Sequence, residues 1–175
     1  MLIGPITSLL NSVLRHQNHS LSIRTHRPLI KSSSIMAALP ILAFWEKQPP
    51  LAVAAASKLS GFNMDIKADA KGSKDTVTTL TLPDGEHFSG SPLILRFVAR
   101  SANGEALGLC GRDALSATQI DYWIDYATQN ASAGANFEAV CNGINDYLAL
   151  RSFIVGYSVS AADLALWGQL QGERA

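Results

Sequence analysis

The chain has 175 residues, 47% hydrophobic and 16% charged, enough to bury one core without disulfide or metal support and too few for two large domains. Fourteen Lys+Arg balance fourteen Asp+Glu, but Arg15, Arg24, Arg27 and Lys31 all precede the first carboxylate, Glu46; setting those four aside leaves ten basic groups against fourteen acidic ones, about −4 for the rest. Such a domain is a poor general nucleic-acid binder, so no direct nucleic-acid contact is expected of the core, and with no run of eighteen apolar residues no membrane span is expected.

Residues 1–35 hold those four basic residues, three histidines, seven serines and no carboxylate. That composition suits an organellar transit peptide better than a secretory signal, and the apolar stretch from Leu9 to Leu14 is interrupted by Asn11 and Ser12. The other reading is that Met36 is the working start. Either way the leader is expected to stay outside the domain. The cytosol is the expected compartment, with mitochondrial or chloroplast import through residues 1–35 as the alternative.

From Met36, the run Ala-Leu-Pro-Ile-Leu-Ala-Phe predicts a buried strand with Pro40 at its start. Pro49-Pro50 opens a small-residue helix over Leu51–Leu59, which Gly61 closes in the left-handed conformation. Asn63 to Asp69 and Val77 to Leu82 follow as strands; Pro83-Asp84-Gly85 turns the chain, and Glu86-His87-Phe88 returns as the second arm of a hairpin. Ser91-Pro92 reads as cap and first residue of a helix with Leu93, Ile94, Phe97 and Val98 on one face and Asn103-Gly104 at its end.

The rest predicts helices only. Ser116 and Gln119 are placed for a capping box ahead of the stripe Ile120, Trp123, Ile124 and Ala127. Phe137, Val140, Cys141, Ile144, Tyr147 and Leu148 keep a 3.6-residue stripe. Cys141 within it reads as a buried structural thiol, and Cys110, between Gly108 and Gly111, as the more accessible one with no base to activate it. The two cysteines form no disulfide framework and lack metal-ligand spacing, so neither metal nor cofactor is expected. In Gly156-Tyr-Ser-Val-Ser160-Ala-Ala-Asp163-Leu164, Ser160 can accept from the N–H of Asp163 while the Asp163 carboxylate accepts from the N–H of Ser160, and Val159 can staple onto Leu164. No histidine stands near to activate Ser160, so the pair is a structural helix cap and no residue is assigned a catalytic role.

Four short strands with two helices, then an all-helical half with Gly156, Ser160, Ala162, Asp163 and Trp167 near its end, resemble the glutathione transferase fold. The implied class is α+β passing to all-α: a reduced thioredoxin-like half at 36–104 and an incomplete transferase-like helical half at 105–175. The runs Ser91 to Ala102, Thr118 to Ala127 and Phe153 to Ser160 are similar to the N-terminal extension of plant cytosolic glutamyl-tRNA synthetases, over about Pro49 to Gln171. The resemblance implies a non-catalytic domain that docks on other transferase-like domains of translation factors or synthetases. Because the helix matching Ser91–Ala102 lies near the subunit interface in transferase dimers, it makes Arg96 and Arg100 candidate partner contacts.

The chain departs from both families. The loop Trp45-Glu-Lys-Gln-Pro-Pro50 holds no Ser, Tyr or Cys to stabilise a glutathione thiolate, Asp75–Thr79 holds no proline, and Gly90 precedes Ser91 where an acid or amide is usual. The ATP-binding signatures of a synthetase are absent from the 175 residues, so this chain is not expected to aminoacylate tRNA alone. The family's helices after the capped one are missing, which reads as a truncated product, a splice form or an incomplete reading frame, and predicts that the face formed by Leu164, Trp167 and Leu170 is left partly uncovered. The alternative is a divergent glutathione transferase or glutathione-binding protein; tRNA contact through the basic leader is a third possibility.

Overall fold

The structure, a computed structural model, describes residues 38–73, 75–131 and 137–172. The expectations for the leader lie outside these residues. Every element below belongs to one compact unit, Leu39–Ala175.

The first strand, β1 (Ile41–Trp45), starts directly after Pro40, which has no N–H for a ladder. Alternation sends Leu42 and Phe44 into the core and leaves Ile41, Ala43 and Trp45 half-buried on the other face. Helix α1 (Leu51–Ser60) follows Pro49-Pro50 and ends at Gly61, whose φ of 66° is the left-handed conformation expected there. Its C-terminus is closed by the N–H of Phe62 on Ser57 O at 3.1 Å and by the Ser57 hydroxyl on Phe62 O at 2.6 Å.

Strand β2 (Asp65–Asp69) pairs parallel with β1 at the sheet edge, and β3 (Thr79–Thr81) and β4 (His87–Ser89) form the hairpin on the other side, in the order β2-β1-β3-β4. The register lines Ile66, Leu42, Leu80 and Phe88 in one row across the sheet. Leu42 and Leu80 are fully buried in that row, while β2 is exposed throughout. Its alternating Asp65, Lys67 and Asp69 give this open edge the charges that discourage strand pairing with other chains.

Helix α2 (Ser91–Ala99) corrects two expectations. Its N-cap is Gly90, with φ 97° and its carbonyl accepting the N–H of Ile94 at 3.1 Å, and Ser91 makes no side-chain cap bond. Its buried face is Ile94, Leu95, Val98 and Ala99, while Leu93 is exposed. Leu93 and Leu95 are two residues apart, about 200° around the helix, so packing against both the sheet and neighbouring helices selects one of them. Phe97 lies at the border, 4.8 Å from the Phe88 ring and edge-on to Phe62 at 5.8 Å.

Asn103-Gly104 does not end a helix; it lies within a short one, α3 (Ala102–Ala106), that folds back on the end of α2. A Cβ on Gly104 would sit 2.6 Å from Ala99 O, so the glycine is there for close approach. The chain turns at Gly108, φ 77°. Helix α4 (Ala114–Asn130) likewise begins earlier than the Ser116 box implies. Asp113 is its N-cap, accepting from Ser116 N at 2.8 Å, while the Ser116 hydroxyl accepts from Asp113 N at 3.2 Å. Ser116 is thus the third residue of the helix, the answering member of a box begun by Asp113.

Ile120, Ile124 and Ala127 of α4 are buried as expected; Trp123 is half-buried and joins Tyr122, Tyr126 and Tyr147 in an aromatic cluster at ring distances of 4.8–5.7 Å from each. Helix α5 (Phe137–Leu148) buries only Ile144 of its stripe, and Cys141 is half-buried instead of enclosed. Helix α6 (Ala161–Gly172) is central: residues 161–166 are buried all round, and it packs on α1, α2 and α4. Gly168 lets it approach α1 so closely that a Cβ would lie 2.9 Å from Ala52 N. The face expected to be uncovered divides: Leu164 is fully buried, whereas Trp167 and Leu170 are half-buried.

Candidate functional site

A groove of about 290 Å³ opens where the β1–α1 loop, the approach to β3, the start of α2 and the inner faces of α4 and α6 meet. Gln48 and Pro49 come from the loop, Thr76, Val77 and Thr78 from the approach to β3, Ser91 and Pro92 from α2, Thr128 from α4 and Gln169 from α6. Its floor is Leu95, Ile124 and Ala165. The polar side chains on the wall are hydroxyls and amides, and none of the described lining residues carries an ionisable side chain. Such a wall can hydrogen-bond a peptide-like or neutral ligand, and its described residues supply no acid, base or thiolate. Among the described residues no cluster of three or more metal-ligating side chains occurs.

Ser91, expected as a helix cap, lines this groove instead, with its hydroxyl released from capping because Gly90 caps α2. Arg96 and Arg100 are outside it. They point from α2 onto α4: Arg96 Nε donates to Asp121 Oδ1 at 2.8 Å and its Nη2 to Asp125 Oδ1 at 2.7 Å and to Asp121 O at 3.0 Å. Arg100 Nη2 donates to Asp121 Oδ2 at 2.9 Å. Burial would lower the Arg96 pKa, but hydrogen bonds and charges from Asp125 and Asp121 outweigh it and raise the value. The side chain of Arg96 is 17% exposed and that of Arg100 53%, so Arg100 keeps the greater access to a partner. Sequence reading missed Asp121 and Asp125, although both pairs stand four residues apart and present matching ladders.

The Ser160–Asp163 pair is a buried clasp. Asp163 accepts from Ser160 N at 2.9 Å and, through its other oxygen, from Ile154 N at 2.8 Å. The Ser160 hydroxyl donates to Asp163 Oδ2 at 2.7 Å, in place of the expected bond that it would accept from the Asp163 N–H. A carboxylate is an acceptor only, so the hydroxyl donates a hydrogen bond to it and half of the expected box is reversed. Burial pushes the Asp163 carboxyl above the usual range, against the downward pull of these hydrogen bonds.

No family profile matches the chain. Among curated proteins it is 37% identical over 131 residues to the cytoplasmic glutamate–tRNA ligase of Arabidopsis thaliana, covering 75% of this chain and 18% of that protein. To the bifunctional glutamate/proline–tRNA ligase of Mus musculus it is 29% identical over 140 residues, 80% of this chain and 9% of the relative. The chain therefore spans under a fifth of the length of these relatives. Among solved structures it is similar to a possible glutathione S-transferase from Rhodopseudomonas palustris, with a TM-score of 0.65, 16% identity and coverage of 77% of this chain and 81% of the other. An epsilon-class glutathione S-transferase from the housefly, Musca domestica, gives 0.62 at 16% identity, with 75% and 76% covered. The fold is that of glutathione transferases.

Proposed function

We propose, on the premise that the chain is a glutathione-transferase-like domain related to those of glutamyl-tRNA synthetases, that it is a non-catalytic docking module. It binds other transferase-like domains in the translation machinery and works in the cytosol, the compartment in the name of its Arabidopsis relative. The observation that supports this reading is that the described residues of the groove wall are hydroxyl, amide and apolar side chains, without an ionisable one among them. The surface that fits docking is the α2–α4 face, where half-exposed Arg100 and Asp125 lie on the same helices as the exposed Leu93 and Tyr122. Charged groups flanked by an aliphatic and an aromatic side chain suit a specific, steered contact.

The test is a pair of measurements on the full chain. It should pass through glutathione resin and fail to conjugate an aromatic halide, and it should bind a recombinant transferase-like synthetase domain in calorimetry. Arg100→Glu and Tyr122→Ser should weaken that binding. A second reading, a glutathione-binding protein, is favoured by the hydroxyls of Thr76, Thr78 and Ser91 in the groove; retention on the resin, with loss on Ser91→Ala, would replace the first.

A further inference from the structure

The loop between α5 and α6 carries two large apolar side chains with no cover. Leu150 is 97% exposed and Tyr157 fully so, the two most exposed large hydrophobics among the described residues. The backbone between them is held. Ile154 and Val155 are buried, the N–H of Ile154 donates to the Asp163 carboxylate at 2.8 Å, and its carbonyl accepts from the Tyr147 hydroxyl at 3.1 Å. Gly156, at φ 67°, turns the chain out of the core immediately before Tyr157. On the other side, Arg151 Nη1 donates to Tyr147 O at 2.8 Å and the guanidinium sits 4.3 Å from the Tyr147 ring centre. Leu150, Arg151 and Tyr157 are thus presented on a pre-ordered backbone, which reduces the entropy lost on binding.

Resting on the docking reading above, we infer that this loop is a second contact surface, and that its occupant is a different protein presenting an apolar depression bordered by a carboxylate. Charge selects that occupant. Between Asp146 and Asp163 the only charged residue is Arg151, so the loop offers an apolar pair and one cation with no acid of its own. A second copy meeting it through the same loop across a twofold axis would bring the same cation to the interface from both sides with no carboxylate to offset it. A membrane is disfavoured because one cation contributes only about 1 kcal/mol at an anionic surface. Tyrosine and arginine are also the residue types that dominate protein interfaces.

The test places a benzophenone side chain at position 150 or 157 of the full chain, irradiates it in extract of its source cells and maps the adducts by mass spectrometry. The expected adduct lies in another protein, beside an Asp or Glu among apolar residues. With that protein made recombinantly, the Leu150→Ser/Tyr157→Ser double variant should bind about tenfold or more weakly with an unchanged melting curve. Arg151→Glu should weaken binding too, and replacing the mapped carboxylate by Lys should restore it. Adducts only with further copies of the chain, with added phosphatidylserine vesicles, or with nothing at all would overturn the inference. So would a partner whose affinity ignores all three loop substitutions. If that partner nonetheless responds to Arg100→Glu, docking stands and the loop inference alone falls; if no transferase-like domain binds at all, docking itself falls.

Discussion

Replacing Asp163 by alanine removes the acceptor for three donors at once, the N–H groups of Ile154 and Ser160 and the Ser160 hydroxyl. Ile154, Ser160 and Asp163 are all 2–4% exposed, so water cannot replace the lost acceptor without opening the loop. The serine hydroxyl can rotate toward another acceptor, but the two backbone donors cannot, and each buried unsatisfied group costs roughly 1–3 kcal/mol. Removing a carboxylate whose burial is itself unfavourable returns part of that. The net loss should be about 2–4 kcal/mol, a large share of the roughly 5–15 kcal/mol that holds a domain of this kind together. Urea denaturation followed by tryptophan fluorescence measures it, with the exposed Asp146→Ala as control, and hydrogen exchange at the Ile154 amide should accelerate before the rest of α6 opens. A loss for Asp163→Ala within about 0.5 kcal/mol of the control would refute the clasp.

The two capping carboxylates should respond to pH with opposite signs. Asp163 is raised by burial, so its stabilising contribution is complete below the unfolded pKa near 4 and lost as pH rises through the folded value. Wild type should therefore lose stability relative to Asp163→Asn across that window. Asp113 is lowered, chiefly by the backbone hydrogen bond from Ser116, so its contribution is present above the unfolded pKa and disappears in acid; Asp113→Asn should destabilise at neutral pH and converge with wild type as pH falls. Urea melts from pH 3 to 7, a range set by ordinary carboxylate pKa values, test both. In the α2–α4 network, Arg96→Met should cost about 1–3 kcal/mol because it strips two carboxylates of a largely buried partner. A double-mutant cycle between half-exposed Arg100 and Asp121 should give under about 1 kcal/mol. A coupling there larger than the Arg96 loss would reverse that order.

The amino-acid order alone determined what depends on neighbours a few residues away. Pro40 and Pro49-Pro50 mark starts, Gly61 marks a stop, Pro83-Asp84-Gly85 turns the hairpin, and the stripes Ile120–Ala127 and Phe137–Leu148 mark helices. Each is a local consequence of a missing N–H, a missing Cβ or a repeating period. Tertiary structure decided whatever depends on a distant group. Gly104 is needed for contact with the end of α2 and so does not stop a helix, and Leu95 displaces Leu93 from the core because α2 is covered from particular sides. Asp121 and Asp125 meet Arg96 and Arg100 only once α2 and α4 lie side by side. Asp163 finds the N–H of Ile154 nine positions upstream only when the loop folds back. The groove belongs to this second class: five separate segments supply its wall, so the lack of ionisable side chains among its described residues is a property of the folded chain, while the absent thiolate stabiliser in Trp45–Pro50 was readable directly because it concerns one short loop.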